Sequence, residues 1–367
     1  MSAVDRPALA AAAAAAHGID RLLVAAGPNL RWLTGFTGSN GLAVLDVAGS
    51  GGGIFLTDFR YMEQSAAQLS SVWEVRQSAQ ELLGPGLADV FAQAPQGALA
   101  RVGFDDAQVS VAAHRRIVEE LRGRVELVPS GGIIERLREV KEPAEVARVR
   151  AAAELADHAL LETLERGLRG RTEREVATEL EVAMLRLGAE GVSFAPIVAH
   201  GAYGALPHAE PRDIAIAGGT LVTIDWGCRL DGYCSDATRT FAVGEIGAFE
   251  RSIYGLVLEA QEAGLAAVRP GPLGREIDAV AREVIERAGH GEHFGHGLGH
   301  GVGLEIHEGP RLSRMGETPL APGMLVTVEP GVYVPGVCGV RIEDLVCVTE
   351  TGHDVLNGLP KALQQVD

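Results

Sequence analysis

Four acidic residues stand within apolar, strand-like sequence in the second half of the chain. Asp225 and Asp236 belong to one such stretch, and Glu329 and Glu343 belong to another. An unpaired charge among apolar strand residues is expensive, and two like charges at close range are worse. The pattern predicts that these carboxylates share a cation or a proton.

The first two carboxylates lie on a predicted β-hairpin. Asp231 and Gly232 are typical of a two-residue hairpin loop. With that loop, Asp236 lies opposite Gly227 and diagonal to Asp225, so that both carboxylates share one face. The alternative is a bulge that turns Asp236 toward solvent.

The other two carboxylates lie on a hairpin whose register the sequence leaves open. A two-residue loop at 335–336 puts Glu329 opposite Ile342. In that register Glu329 does not face Glu343. An odd-length loop or a β-bulge would bring the two glutamates opposite each other, and the sequence favours neither.

A third segment, residues 294–308, combines glycine with histidine. It holds five glycines within nine residues, which excludes a stable helix and lets the backbone approach another group closely. It also carries His296, His300 and His307. One neutral imidazole with four carboxylates is an oxygen-rich donor set, suited to two divalent ions such as Mn²⁺ or Co²⁺ more than to a structural zinc. Such a pair of ions acidifies a water between them and polarises a carbonyl.

The elements that must position these residues occur in the order helix, helix, hairpin, and this order is repeated. Residues 221–227 and 325–331 are similar in sequence, with Asp225 and Glu329 at the same place. The long offset favours a duplicated half-domain over a solenoid, and we expect Asp225 and Glu329 to face each other. The predicted elements are a helix opening near Pro143, helices at 172–188, 248–268 and 273–288, and strand pairs at 220–243 and 324–349.

The first part of the chain is predicted to be a separate α/β domain. Residues up to about 130 alternate short apolar runs with helical stretches, beginning with an alanine-rich helix that ends near Gly18 and a strand at 21–25. Pro129, Gly131 and Gly132 then break the pattern. We therefore expect domains at residues 1–132 and 133–367.

The composition narrows the class of partner. The chain has 367 residues and a formal net charge of −17, which disfavours a broad basic surface for nucleic acid or anionic lipid. No apolar stretch reaches the roughly 18 residues that a bilayer span requires. The four cysteines show no C-x-x-C spacing. We expect a cytoplasmic protein that binds neither nucleic acid nor membranes.

Together these motifs resemble those of the pita-bread metallopeptidases, a family that includes aminopeptidase P, prolidase and methionine aminopeptidase. The similar segments follow the family's order: 225–227 (DWG), 235–241 (SDATRTF), 296–300 (HGLGH), 328–333 (VEPGVY) and 339–344 (GVRIED). Residues 34–40 (TGFTGSN) and 57–61 (TDFRY) resemble the creatinase-like domain that precedes the catalytic domain in aminopeptidase P and prolidase. Methionine aminopeptidase lacks that domain, so the resemblance points to Xaa-Pro peptides.

The resemblance implies an α+β fold, with a creatinase-like α/β domain followed by a pseudo-two-fold pita-bread catalytic domain. It implies two divalent metal ions, expected to be Mn²⁺ with Co²⁺ or Zn²⁺ as alternatives. Five side chains are implied as ligands, two of them (Asp236 and Glu343) bridging: Asp225, Asp236, His300, Glu329 and Glu343.

The resemblance also implies roles for residues around the ligands. His208 and His307 match histidines that contact the scissile carbonyl and its oxyanion, and His296 matches one on the proline side of the pocket. Tyr333 and Arg341 match supporting positions. Arg341 is expected to hold the bridging carboxylates by bidentate hydrogen bonds.

The implied activity is metal-dependent hydrolysis at peptide N-termini. A metal-bridging hydroxide attacks the carbonyl, and Glu329 passes its proton to the departing proline nitrogen. We expect an Xaa-Pro aminopeptidase acting on short peptides with proline second, because residues 37–40 resemble aminopeptidase P more closely. The alternative is an Xaa-Pro dipeptidase. A metal-free binding protein or a creatinase-like hydrolase is disfavoured by the complete ligand set, and a homodimer is the family's common form.

Overall fold

The computed structural model describes residues 4–25, 27–49, 51–92 and 99–367. The chain forms two compact units, Met1–Arg138 (unit 1) and Glu139–Asp367 (unit 2). Each unit is described by itself. All of the predicted site residues lie in unit 2.

Unit 1 is built on one mixed sheet whose six strands are β1 Arg21–Val24, β2 Gly41–Asp46, β3 Gly53–Thr57, β4 Trp73–Gln77, β5 Ala100–Phe104 and β6 Val125–Pro129. Their order across the sheet is β4-β3-β2-β1-β5-β6. The pairs β1–β2 and β2–β3 are antiparallel, whereas β3–β4, β1–β5 and β5–β6 are parallel. Parallel neighbours need crossover connections, and helices precede or separate the strands: α1 Arg6–Ala16, α2 Gly27–Thr34, α3 Met62–Gln68, α4 Leu87–Val90, α5 Val111–Glu120 and α6 Ile133–Glu139.

The start of unit 1 follows directly from its sequence. The Asp5 side chain caps α1 by accepting a hydrogen bond from the Ala8 amide at 3.1 Å, and Gly18, with φ 65°, lies in the left-handed region just after the helix. The alanine-rich helix and the strand that follows it are therefore confirmed. Apolar residues of β1, β2 and β5, such as Leu23, Val44 and Val102, form the core under these elements.

Unit 2 repeats a pair of helices followed by a hairpin. Its helices are α7 Pro143–Leu164, α8 Glu173–Arg186, α9 Ala248–Ala267 and α10 Gly274–Arg287. Its strands are β7 Gly191–Val192, β8 Ile197–His200, β9 Thr220–Trp226, β10 Cys228–Leu230, β11 Tyr233–Cys234, β12 Ala237–Val243, β13 Gly299–Gly301, β14 Glu308–Leu312, β15 Leu325–Val328, β16 Gly331–Val334, β17 Cys338–Arg341, β18 Asp344–Val348 and β19 His353–Val355.

Each half of unit 2 has its own core. One cluster joins α7 and α8 to the β9–β12 hairpin, with Trp226 fully buried and its indole Nε1 donating to the Ala156 carbonyl at 3.0 Å. A second cluster joins α9 and α10 to β15, β16 and β17. The predicted helix at 172–188 begins with a capping box, in which Thr172 Oγ1 accepts from the Glu175 amide and Glu175 Oε2 accepts from the Thr172 amide. The predicted repeat and the α+β fold are confirmed.

The two predicted strand pairs are each interrupted. β9 and β10 are separated at Gly227, and β11 and β12 are separated at residues 235–236. β15 and β16 are separated at residues 329–330, and β17 and β18 at residues 342–343. The interruptions coincide with three of the four acidic residues singled out in the sequence.

No helix in the described ranges combines the length and the apolar character that a bilayer crossing needs.

Candidate active site

The first hairpin brings Asp225 and Asp236 to one face. Leu230 pairs with Tyr233, which leaves Asp231 and Gly232 as the two-residue loop. Asp231 has φ 48° and Gly232 has φ 77°, so both central residues are left-handed, as a type I′ turn requires. β9 pairs with β12 in the same register, with Asp225 opposite Thr238. Two pairs further along, the same register puts Asp236 opposite Gly227, and the predicted register is confirmed.

The second hairpin has a three-residue loop. Val334 pairs with Cys338, and Val328 pairs with Asp344 in the same register. Continuing that register puts Glu329 opposite Glu343. Of the two repairs that the sequence left open, the odd-length loop is the one adopted, and the two-residue loop at 335–336 is wrong.

The glycines of the third segment approach the protein's own backbone. A Cβ on Gly299 would lie 1.9 Å from the Thr327 carbonyl oxygen, and one on Gly301 would lie 2.0 Å from the Gly309 carbonyl oxygen. Gly301 also pairs with Val326 of β15. The close approach explains why glycine is needed on both sides of His300, which lies in β13 between these two contacts.

The five predicted ligands converge. The Nε2 atom of His300 lies 3.5 Å from Asp236 Oδ2 and 3.4 Å from Glu329 Oε1. Asp236, His300 and Glu343 each offer one ligand atom, and these atoms lie within 4.8 Å of one another. Asp225 belongs to the same cluster, because its charge raises the pKa values of Asp236, Glu329 and Glu343.

Burial makes the charged form of these acids costly. It is the largest cause that raises the pKa of Asp225, and it raises the pKa of Glu329 to about 8. Burial and then neighbouring carboxylates raise the pKa values of Asp236 and Glu343 well above their usual range. A bound cation would remove this cost.

The hydrogen bonds of the cluster also fit a cation. The Nδ1 atom of His300 lies 3.0 Å from the Gly301 carbonyl oxygen, so Nδ1 carries the proton and the Nε2 lone pair faces the carboxylates. Burial lowers the pKa of His300 to about 4, which leaves the ring neutral at pH 7. Asp225 Oδ1 and Glu343 Oε1 are buried and accept no hydrogen bond from the described residues. An imidazole lone pair and unpartnered carboxylate oxygens that point together suit a divalent metal ion.

Arg341 is the guanidinium inside this cluster. Its Nη2 donates to Asp225 Oδ2 at 2.6 Å, its Nη1 to the Tyr333 hydroxyl at 2.8 Å and its Nε to Thr238 Oγ1 at 3.0 Å. The expected bidentate contact with the bridging carboxylates is wrong. Thr238 lies between, since its hydroxyl takes the Arg341 hydrogen bond and donates its own to Glu343 Oε2 at 2.7 Å.

Tyr333 connects Arg341 to His296. His296 Nδ1 lies 2.8 Å from the Gly297 carbonyl oxygen, so it is the donor, and His296 Nε2 accepts from the Tyr333 hydroxyl at 2.9 Å. Burial raises the pKa of Tyr333 to about 12 and lowers that of His296 to about 4. Arg341, Tyr333 and His296 therefore form a series of two hydrogen bonds, in which Arg341 donates to Tyr333 and Tyr333 donates to His296.

The other two predicted histidines lie at the rim. The His307 ring packs edge-on against His300, with 4.4 Å between ring centroids. Burial and then the nearby His208 lower the pKa of His307. His208 is exposed, and its charge also acts on the pKa values of Asp225 and His296. All of the predicted site residues are thus brought together.

Two neighbours of the cluster were not predicted. Thr238 follows Asp236 by two residues in an extended segment and shares its face, and this period-2 spacing could have identified it. Arg311 of β14 lies opposite His300 of β13, and its exposed side chain makes no ion pair among the described residues. No spacing in the sequence indicates that contact, because it depends on a bulge between His300 and Gly301.

Similarity to known proteins agrees with this geometry. Residues 147–350 match metallopeptidase family M24, and residues 6–140 match the creatinase/prolidase N-terminal domain. The chain belongs to metallopeptidase family M24. The predicted family, its fold class and the expectation of a metallo-exopeptidase are confirmed.

Several full-length relatives of this M24 chain are known. The uncharacterized peptidase YqhT of Bacillus subtilis is 40% identical over 94% of this chain and 96% of its own length. The structure of an Xaa-Pro dipeptidase from Bacillus anthracis superposes with a TM-score of 0.92 at 39% identity, covering 99% of both chains. That of an X-Pro aminopeptidase from Thermotoga maritima gives a TM-score of 0.86 at 34% identity, over 95% of this chain and 98% of the other.

Proposed function

We propose that this M24 chain is an Xaa-Pro dipeptidase. The observation that carries the proposal is the convergence of four acidic side chains and the free Nε2 of a neutral imidazole on one point of unit 2. The similarity to the Bacillus anthracis dipeptidase exceeds that to the Thermotoga maritima aminopeptidase in both TM-score and identity. It therefore favours the dipeptidase over the aminopeptidase that the motif at 37–40 suggested.

The residues present fit a dinuclear metal centre. Five side chains would hold two divalent ions, with Mn²⁺ expected from the oxygen-rich donor set and Co²⁺ or Zn²⁺ as alternatives: Asp225, Asp236, His300, Glu329 and Glu343. When bound, such ions polarise the scissile carbonyl and acidify water at the site.

The protein's own groups would handle the proton and the developing charge. Among the described residues, Glu329 accepts one long side-chain hydrogen bond, from Thr327 Oγ1 at 3.3 Å. Its carboxylate would therefore be available to take a proton from water and pass it to the proline nitrogen. His208 and His307 would stabilise the oxyanion from the rim. His296, held by the Tyr333 hydroxyl, would line the proline side. A bond to proline is a tertiary amide without N–H, so the site needs no acceptor for that nitrogen.

A dipeptidase must also recognise the free carboxylate of its substrate. Arg311 is suited to this role, because it lies opposite His300, is exposed and has no acidic partner among the described residues. We propose that its guanidinium receives the proline carboxylate. Arg314 lies on the same segment but pairs with Glu286 at 3.4 Å, and it provides a matched control.

One assay tests the dipeptidase and the role of Arg311. Metal-free and Mn²⁺-loaded proteins are incubated with Ala-Pro and with Ala-Pro-Ala, and alanine release is measured. We expect metal-dependent cleavage of Ala-Pro alone, with KM raised about 10-fold or more in Arg311→Gln and nearly unchanged in Arg314→Gln. Equal inertness with and without metal would contradict any peptidase function.

An Xaa-Pro aminopeptidase is the second candidate. Its support is the similarity to the Thermotoga maritima aminopeptidase, which extends over 95% of this chain. Cleavage of Ala-Pro-Ala with efficiency similar to that of Ala-Pro would establish this candidate and exclude the strict dipeptidase.

We further propose that residues 1–132 form the creatinase-like domain and residues 133–367 the catalytic domain. The matches at 6–140 and 147–350 and the two compact units support a division in this region. A cytoplasmic homodimer is also proposed. The four cysteines, all free and buried, support a reducing compartment, and light scattering of the full chain tests the dimer.

A further inference from the structure

A buried carboxylate that is not among the predicted metal ligands binds both ends of one loop. Glu173 is the first residue of α8, and its side chain is fully buried. Its Oε1 accepts from the His200 amide at 3.0 Å and lies 2.7 Å from His200 Nδ1. Its Oε2 accepts from the Arg212 amide at 3.0 Å and from Arg212 Nε at 2.8 Å, and Arg212 Nη2 donates to Oε1 at 2.8 Å.

The segment between these two anchors, residues 200–212, carries His208. The Arg212 guanidinium stacks on the Tyr203 ring at 3.4 Å from its centroid, and the Tyr203 hydroxyl donates to the Glu210 carbonyl at 3.1 Å. Next to His208, the Pro207 carbonyl accepts from Arg341 Nη1 at 3.3 Å. Glu173 thus binds the two ends of the loop, and the Arg341 guanidinium binds its middle, next to His208.

Helix capping does not account for Glu173. The first turn of α8 is already capped by the reciprocal bonds of Thr172 and Glu175. Burial would raise the pKa of Glu173, but the hydrogen bonds from Arg212 and His200 lower it below its usual value. A fully buried charged carboxylate is stable only where hydrogen bonds and opposite charges offset the cost of its burial. For Glu173, the hydrogen bonds that do so come from His200 and Arg212, the two ends of the loop.

In the second half of unit 2, the segment after His307 contacts its helix without a side chain like that of Glu173. At the start of helix α10 the Leu273 amide donates to Glu276 Oε2 at 2.8 Å, as the Thr172 amide donates to Glu175 in α8, so Gly274 stands where α8 has Glu173. A Cβ on Gly274 would lie 2.0 Å from the Arg311 carbonyl oxygen. The strand after His307 therefore packs directly on its helix, whereas the chain after His208 is held through a side chain. Arg212 and Arg311 each follow the histidine of their half by four residues, and only Arg212 has an acidic partner among the described residues.

We propose that Glu173 is a positioning residue, which fixes both ends of the 200–212 segment and so holds His208 in place beside the predicted metal ligands. The proposal rests on the proposed function, because His208 needs a definite position only if it contacts the reacting carbonyl. Arg212 is neutralised by Glu173 in this arrangement and takes no part in substrate binding.

The test compares Glu173→Gln with Glu175→Gln. Glutamine keeps the shape of Glu173 but replaces one acceptor with a donor and removes the charge that Arg212 requires. Hydrogen exchange of the full chain, read by mass spectrometry, should rise in residues 201–212 for Glu173→Gln and stay unchanged for Glu175→Gln. For Ala-Pro cleavage, kcat should fall about 10-fold to 100-fold in Glu173→Gln, with a change in KM below about 3-fold.

A double substitution separates positioning from a general loss of structure. If Glu173 acts through His208, Glu173→Gln combined with His208→Ala should match His208→Ala alone within about 2-fold in kcat, whereas additive losses would overturn the proposal. Arg212→Gln, at a half-buried position, is a second variant and should show the same exchange and the same kcat loss if Glu173→Gln fails to fold.

The exchange experiment also distinguishes a failure of the proposed Glu173 anchor from a failure of the proposed peptidase function. A looser 201–212 segment in a protein that cleaves no Xaa-Pro peptide would support the anchor and reject the proposed function. Active Glu173→Gln protein with wild-type exchange and wild-type kcat would falsify the anchor and leave the peptidase standing.

Discussion

At the scale of single residues, the candidate active site is a concentration of negative charge with one internal counter-charge. Arg341 bonds directly to Asp225 and reaches Glu343 only through the Thr238 hydroxyl. Burial raises the pKa values of the acids, so the folded chain alone does not stabilise them as four anions. The folded site is therefore expected to bind cations, which would stabilise the ionised carboxylates.

Glu329 and Cys228 make a contrasting pair of substitutions. Glu329→Gln removes the proposed proton carrier and one ligand, so Ala-Pro cleavage by Mn²⁺-loaded protein should fall at least about 100-fold while circular dichroism stays unchanged. Cys228 is buried, and its Sγ donates to the Ala152 carbonyl at 3.2 Å, a bond that serine can also make. Cys228→Ser should retain most activity, and comparable losses in both variants would argue against this site.

Unit 1 contains a separate buried acid with a pH-dependent consequence. Burial, and next the charge of Glu135, raise the pKa of Asp105 from 3.8 to about 6. Asn29 Nδ2 donates to both carboxylates, at 2.5 Å to Asp105 and at 2.8 Å to Glu135, and Arg138 Nη1 donates to Asn29 Oδ1 at 2.6 Å. Because the folded state binds the Asp105 proton more tightly than the unfolded chain, the stability of unit 1 should fall as the pH rises from about 4 to about 6.

Asp105→Asn should abolish that fall. The amide can donate to Glu135 and accept from Asn29 at every pH, so the free energy of unfolding at pH 7.5 should rise by about 1–3 kcal/mol. Urea unfolding with hydrogen exchange of the β5 amides at pH 4.5 and 7.5 measures it. Asp106→Asn, at the neighbouring exposed position, should keep the wild-type pH dependence, and the same dependence in Asp105→Asn would refute this assignment.

At the scale of elements, the position of His300 depends on how closely β13 approaches its neighbours. Gly299 and Gly301 let β13 lie against the Thr327 and Gly309 carbonyls, which brings His300 to the ends of β15 and β18. Gly295, in the same segment, has nothing within 4 Å of its would-be Cβ. Alternate glycines of one motif therefore have different structural requirements.

Gly299→Ala should displace β13 from β15. The added methyl group would overlap the Thr327 carbonyl, so we expect at least about a 10-fold loss of Mn²⁺ affinity and activity from the shift of His300. Isothermal titration with Mn²⁺ measures the affinity. Gly295→Ala is the matched control and should stay within about 2-fold of wild type, and equal behaviour of the two variants would contradict the packing argument.

The hairpin loops show which registers can be read from sequence. Asp231-Gly232 specifies a type I′ turn through its left-handed backbone, so the whole first register followed and was confirmed. In the second hairpin only Gly336, with φ 74°, has a special conformation, and a proline and a valine flank it. Such a loop allows two or three residues, and the pairing of the long strands decides between them.

At the scale of the whole chain, the candidate centre belongs to both halves of unit 2. Asp225 and Asp236 come from the first hairpin, and Glu329 and Glu343 come from the second. The halves meet where Thr238 bridges Glu343, whose amide donates to the Thr238 carbonyl at 3.0 Å. A cation bound at this junction links segments more than a hundred residues apart.

Metal binding should therefore stabilise unit 2 against heat. At a Mn²⁺ concentration about 100 times its dissociation constant, the gain is about 2.7 kcal/mol, which corresponds to a Tm increase of about 5 °C or more. Differential scanning calorimetry of chelator-treated protein, with and without Mn²⁺, measures it. Asp236→Asn should lose the increase. Asp231→Asn removes the same charge at the hairpin turn and should keep it, so a loss in both variants would exclude a specific site.

The chemistry and order of the site could be predicted from sequence, whereas several of its contacts could not. Residue type identified the acids and histidines, and the helix boundaries followed from local signals such as the Thr172–Glu175 cap. The bidentate role expected for Arg341 was wrong because Thr238 takes its Nε. No local pattern indicates the role of Glu173, because its partners His200 and Arg212 lie 27 and 39 residues away in the chain.

By itself, the sequence determined the donor set, the repeated halves, the type I′ hairpin and the family, since these depend on residue type, on local spacing and on the order of motifs along the chain. Only the tertiary structure decided that Glu329 faces Glu343, that Arg341 serves Asp225, and that Glu173 holds the loop of His208. Those relations join segments distant in the chain, and their distances are set by the packing of strands and helices against one another rather than by local conformational preference.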